Sequence, residues 1–194
     1  MKPAKKQLTF FSKKITTAHG GSLRSTRRGR GARTLSIQHS MHLVLRSTKA
    51  TKLWSFARPE HRQRIYKIIH HHGAKNFIKI VSYANAGNHI HLHIQLASRR
   101  GYFAFIRAIT GAIALAVTKA SKTSKLVKTH KDRFWDCRPY TIIVSSFKHF
   151  FNLKEYIAIN GLEGQGHDRT NARLMYARSL DEETARRKLK RKSK

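Results

Sequence analysis

The amino-acid sequence predicts an α+β domain of split βαβ type, an antiparallel sheet with helices packed on it. Three observations predict it. Asn88-His89-Ile90-His91-Leu92-His93-Ile94 alternates histidine with branched aliphatic residues, and a period of two is the strand signal. Segments with helical spacing alternate with such strands. The resulting order is strand, helix, two strands, helix, strand, helix, with the two central strands close enough to form a hairpin.

Composition bounds the rest. The chain has 194 residues, enough for one domain with a core, and a hydrophobic fraction of 40%. Its 41 lysines and arginines face only 9 acids, a net charge of +32 that calls for a polyanion, and nucleic acid is the usual one. An anionic membrane surface is the rival, but no amphipathic or lipidated anchor is evident. Before Asp132 the only acid is Glu60, so a nuclease site built from several carboxylates has little material. Any metal chemistry must lean on histidine. The single cysteine, Cys137, excludes an internal disulfide and a cysteine-rich zinc site, and reads as a small buried side chain. With no apolar signal segment at the N-terminus, the expected setting is cytoplasmic, with the protein associated with the nucleoid. The apolar run Ala108 to Val117 is broken by Thr110 and Gly111 and is too short to span a bilayer.

In order, residues 1–34 read as a flexible basic arm that contacts phosphates or simply solubilises the chain. Ser36 to Arg46 alternates as a strand centred on Met41-His42-Leu43-Val44-Leu45. Pro59 opens a helix carrying Ile65, Ile68 and Ile69, with Gly73 as its stop. His70, His71 and His72 close that helix, where they complement its C-terminus or meet phosphate better than they bind metal. Phe77 to Tyr83 is a strand, Ala84 to Gly87 a turn, and Asn88 to Ala97 the histidine strand. Tyr102 to about Lys122 is a helix apolar nearly all round, expected to be buried on most faces. Lys119 to Lys131 is a basic loop. Trp135, before the strand Thr141-Ile142-Ile143-Val144, either stacks on a base or packs in the core. Ser145 or Ser146 caps a helix running to Asn160, with Gly161 as its stop. The domain thus spans residues 35–163. Residues 164–194 form a basic tail, expected to be partly disordered, with Asp181-Glu182-Glu183 as a helix start.

Neutral imidazoles two apart on a strand can share a divalent ion, although the same pattern describes a half-exposed strand. A metal held by His89 and His91 beside a phosphodiester would stabilise charge on its oxygens. With no carboxylate pair to activate water, a tyrosine can attack directly. Tyr156 is one candidate. Asn160, one turn on and on the same face, could supply a third oxygen ligand.

Asn88-His89-Ile90-His91-Leu92 resembles the Asn-His-Val-His-Leu signature of the single-tyrosine HUH endonucleases, the IS200-type transposases and their repeat-associated relatives. Met41-His42-Leu43-Val44-Leu45-Arg46 looks like that family's first strand, and Phe134-Trp135-Asp136-Cys137-Arg138-Pro139-Tyr140 like its Trp-x-x-x-x-Tyr segment. Tyr156-Ile157-Ala158-Ile159-Asn160 looks like its Tyr-Ile-x-x-Asn helix. The four landmarks stand in order between Ser36 and Gly161; the histidine and tyrosine motifs are the specific ones. The resemblance implies a ferredoxin-like catalytic domain that cleaves single-stranded DNA, often near a hairpin, with Mg²⁺ or Mn²⁺. It implies His89, His91 and Asn160 as metal ligands and Tyr156 as the nucleophile that forms a 5′-phosphotyrosyl link. IS200-type relatives are dimers and repeat-associated ones can be monomers, so a homodimer stays open. Two departures are Gly161 where proline often follows the asparagine, and Ala86-Gly87 before the histidine motif. Gln165 is another ligand candidate, and His93 is an extra histidine that could tune the site or replace a ligand.

His93 also opens a different reading. His89 to Gln95 looks like the motif of histidine-triad nucleotide hydrolases. In those enzymes the motif lies near the C-terminus and is followed by proline; here the chain runs on to Lys194 with no proline before Pro139. A third reading is a domesticated transposase that only binds nucleic acid.

Overall fold

The predicted histidine strand forms, and it lies inside a sheet rather than at an edge. The computed structural model describes residues 17–21, 32–119 and 133–192. In them five strands, β1 (Ala18–His19), β2 (Met41–Arg46), β3 (Ile78–Asn85), β4 (His89–Leu96) and β5 (Tyr140–Ile143), pair antiparallel in the order β1-β5-β2-β4-β3. Four helices accompany them: α1 (Pro59–Lys75), α2 (Arg99–Thr118), α3 (Phe147–Glu163) and α4 (Arg169–Lys192). This is the predicted α+β architecture, an open antiparallel sheet with helices on it.

The register between β2 and β4 divides the sheet into two unlike faces. Met41, Leu43 and Leu45 pair with Ile94, Leu92 and Ile90, and all six are buried. On that side lie Ile65 and Ile69 of α1 and Phe105, Ile109 and Ile113 of α2, every one fully buried. Burial of each such side chain contributes about 1.5–3 kcal/mol. On the other side His42, Val44 and Arg46 pair with His93, His91 and His89. A bulge in β3 between Ile80 and Ser82 brings Ser82 and Ala84 onto this second face, opposite His93 and His91. There α3 packs through Leu153 and Ile157 against Ala84 and Val144.

Local chemistry sets the helix ends. Pro59 takes the first helical position of α1, as expected. Ser98 Oγ accepts the Gly101 N–H at the start of α2, and Ser146 Oγ accepts the His149 N–H at the start of α3. Gly73 does not stop α1, which continues to Lys75; its missing Cβ instead leaves room for Ile78 O and the Ile80 side chain, both 3.3 Å from where one would sit.

Several expectations need correction. The strand expected from Ser36 begins at Met41. Helix α3 runs past Gly161 to Glu163, and the glycine packs against Ala84. Helix α2 buries one stripe rather than most faces, leaving Phe103 and Leu115 exposed. The segment Arg169–Lys192 forms a helix. Its start is Asp168, whose Oδ1 accepts the Thr170 and Asn171 N–H groups, not Asp181-Glu182-Glu183. Cys137 is exposed. Trp135 belongs to the core, against Phe56 and Phe134, with its Nε1–H on the Thr110 carbonyl. Most of the 1–34 arm and most of the basic loop after Lys119 lie outside the described residues, but Ala18–His19 adds an unpredicted strand at the edge beside β5.

The far end of α3 is seated on the β3–β4 hairpin. A Cβ on Gly164 would lie 1.9 Å from the Asn85 carbonyl oxygen, and the Gly164 carbonyl accepts from Arg62. Gly164→Ala should therefore destabilise the fold by about 1–3 kcal/mol, the usual effect of overpacking. Urea unfolding followed by circular dichroism checks this, and an unchanged midpoint would mean that the helix end is not seated there.

Candidate functional site

Strand β4 brings His89 and His91 side by side, with ring centroids 4.7 Å apart and planes at 80°. Each has its Nδ1 occupied. The His89 Nδ1 lies 2.6 Å from Asn88 Oδ1, and an amide oxygen only accepts, so the proton sits on Nδ1 and Nε2 keeps its lone pair. Asn88 itself is pinned in the hairpin turn, its carbonyl accepting the Ser47 N–H. Gly87, at a φ of +88°, allows that turn. The His91 Nδ1 lies 3.0 Å from His42 Nε2, and the two rings stack at 5.3 Å. His91 Nε2 is buried with no hydrogen-bond partner.

Helix α3 lays Tyr156 against His91 and His42. Its ring stands edge-on to His91 at 5.3 Å and to His42 at 6.1 Å, and the residue remains 40% exposed. Asn160, one turn further, is buried and donates its side-chain N–H to the Tyr156 carbonyl at 2.7 Å. Thus His89, His91 and Tyr156 converge, and Asn160 follows on the helix that carries the tyrosine. No cluster of three or more His, Cys, Asp or Glu suited to a metal exists among the described residues. A metal at this pair would need a different third donor, and Asn160 has the right chemistry, an amide oxygen. The buried, unpartnered Nε2 of His91 and the free Nε2 lone pair of the adjacent His89 are the donor chemistry that suits a divalent ion.

His93 does not join them. Its Nε2 meets Ser40 Oγ at 2.7 Å and its ring packs at 4.7 Å on Phe150, under the first turns of α3. Gln165 is exposed beyond the helix. The triplet His70 to His72 lies on α1, and His70 packs on Tyr66.

Burial keeps these imidazoles neutral. It pulls His42 down to about 4 and His91 to about 3, assisted by the neighbouring histidines, and His93 down to about 4. His89 is lowered as well, by burial and then by Arg46. Neutral imidazole is the ligand form.

From the sequence, two residues of this site read only as part of the first-strand motif, with no site role. His42 contacts His91 directly, and Arg46 is the cross-strand partner of His89. The signal was available: with a period of two, His42, Val44 and Arg46 share a face.

Against this geometry the comparisons are specific. The family described as "Transposase IS200 like" matches residues 36–160, and the chain belongs to that family. Among solved structures it is similar to a REP-associated tyrosine transposase bound to a REP hairpin, at 13% identity and a TM-score of 0.48, covering 70% of this chain and 74% of that one. A protein of Deinococcus radiodurans R1, provisionally described as a transposase, matches at 17% identity and a TM-score of 0.40, covering 72% and 97%. No curated protein matches in sequence.

The buried histidines predict an acid-sensitive fold. The unfolded chain protonates them near 6.5, whereas folded His42 and His93 resist to about 4. Their neutral burial therefore costs nothing above 6.5, and stability falls as the pH drops from there towards 4. The urea midpoint should decrease between about pH 7.5 and about pH 5, and less so in His93→Gln. Identical pH dependence in the two proteins would show that His93 is charged in the folded state.

Proposed function

We propose that this transposase cleaves and rejoins single-stranded DNA, with His89 and His91 as ligands of a divalent metal and Tyr156 as the nucleophile, an HUH-type endonuclease. The observation that carries the reading is the convergence of two imidazoles, each tied at Nδ1, with a half-exposed tyrosine laid against one of them. Mg²⁺ or Mn²⁺ would polarise the scissile phosphate and stabilise its developing charge.

The chain's own groups do the rest. Asn88 accepts the His89 Nδ1–H and so leaves the lone pair on Nε2. For His91 to present a lone pair at Nε2, its Nδ1–H must donate to His42 Nε2, which puts the His42 proton on Nδ1 and makes His42 the partner that supports the metal-binding tautomer. Tyr156 supplies the attacking oxygen. A bond forms between that oxygen and phosphorus, the phosphorus–3′-oxygen bond breaks, and the tyrosyl proton is made up at the released 3′-hydroxyl through solvent. The product is a 5′-phosphotyrosyl link, and reversal by a 3′-hydroxyl rejoins strands. Asn160 is the proposed third ligand. The net charge of +32 suits a long polyanion, and a hairpin near the cleavage site is the expected substrate feature.

The histidine-triad reading is disfavoured by His93, which bonds Ser40 instead of facing the other two rings. A domesticated protein that binds nucleic acid without cleaving it would share the fold and charge.

Covalent trapping tests the proposal. With Mn²⁺ and a pool of labelled single-stranded DNA containing hairpins, a slow protein–DNA band should survive a denaturing gel and vanish in Tyr156→Phe, while DNA affinity is kept. Tight binding with no band for any member of the pool would favour the non-catalytic binder. A graded series is also expected. His42→Phe should lower Mn²⁺ affinity and cleavage by roughly 10–100-fold, as loss of an outer partner does, and His89→Ala or His91→Ala should lower them further. Full activity in both alanine variants would remove the metal site.

A further inference from the structure

Helix α3 covers only half of the histidine face. It packs on β3 and β4, and beyond it the same face continues over β2 and β5. Register places Tyr140, Val44 and His91 in one row across three strands, and Arg46 in the next row beside His89. There a cavity of about 310 Å³ opens, lined by Val44, Arg46, Asp136, Cys137, Arg138 and Tyr140. Neighbouring strands lie about 4.8 Å apart, so its floor at Val44 begins one strand from His91.

The lining has three relevant properties. Tyr140 is half-buried and its ring stands edge-on to His42 at 6.5 Å, so it adjoins the histidine–tyrosine cluster. Gly21 also lines the cavity, and a Cβ there would come within 3.2 Å of the Tyr140 Cβ, so the glycine leaves room for that side chain. Arg46 and Arg138 supply two exposed guanidinium groups, the form of charge that fits phosphate oxygens in a fork. The one acid, Asp136, is engaged by the Thr48 N–H and hydroxyl at 2.7 and 2.9 Å, and stands 3.8 Å from Arg46. The cavity sits at the small end of ligand pockets, about 300–1,000 Å³, which suits one nucleotide.

We propose that this cavity is a subsite for the nucleotide next to the scissile phosphate, with the base on Tyr140 and the following phosphodiester between Arg46 and Arg138. An aromatic ring beside guanidinium groups is the usual platform for an unpaired base, and it favours a single strand over a duplex, whose bases are already stacked. The subsite rests on the reading of the protein as acting on single-stranded DNA, and its test is separable from the test of that reading.

Cys137 provides the probe, because it is the chain's single cysteine, is exposed, and lines the cavity. In the full-length protein, saturating oligothymidylate should slow the reaction of Cys137 with a thiol reagent severalfold. In anisotropy titrations at high salt, where phosphate contacts are weakened, Tyr140→Leu should lose about tenfold in affinity while Tyr140→Phe keeps it. Arg138→Gln should reduce the salt slope of binding by about 1. An unprotected Cys137 in the bound protein, or wild-type affinity in Tyr140→Leu, overturns the subsite. If either occurs while Tyr156 still traps DNA, the endonuclease reading stands without it. If the wild-type protein binds no single-stranded DNA, both fall together.

Discussion

The pairing of β2 with β4 is the constraint on which the rest depends. Its register sets three aliphatic pairs against α1 and α2 and, in the same stroke, places His42, Arg46 and the three β4 histidines on the opposite face. A slip of one residue would put imidazoles into the apolar core and leucines under the tyrosine. That alternative is strongly disfavoured, because six buried aliphatic residues enforce the register. The site geometry is thus inherited from the core, and no separate device is needed to aim the histidines.

The second constraint is dielectric. Where helix α3 covers the histidine face it excludes water, and desolvation holds the imidazoles uncharged in a protein with a large excess of positive charge. In solvent, several neighbouring histidines would compete with a cation by protonation. Here hydrogen bonds to Asn88 and His42 fix the rings, and burial keeps the lone pairs. The helix that carries Tyr156 helps create this environment, so the tyrosine and the buried imidazoles beside it share one cause.

The strands and helices that build the site were legible because period-two alternation and helical spacing are local. The histidine strand, the hairpin, the Pro59 start and the Ser146 cap all follow from a few consecutive residues. What escaped was non-local or context-dependent. Gly73 and Gly161 look like stops, yet each is a place where another element approaches a helix, against Ile80 and Ala84 respectively. Asp168 is a lone acid with no cluster around it to mark a helix start, yet its carboxylate is the cap. His42 and Arg46 became site residues only through pairing with a strand more than forty positions away, and the separation of His93 depends on Ser40 and Phe150. The proposed metal and the proposed role of Tyr156 come from the resemblance of the histidine and tyrosine motifs to a family pattern, not from spacing.

The division of the sheet into two faces also shapes how such a chain can change. Stability resides in one set of alternate residues and chemistry in the other, so selection can act on them separately. Buried imidazoles with unpartnered nitrogens are a standing cost to the folded state, and aliphatic replacements at those positions would be tolerated or even stabilising. A lineage released from strand cleavage would therefore drift first on this face, while its fold and its basic surface persisted. The histidine row is the part of the molecule in which loss of use would first leave a mark.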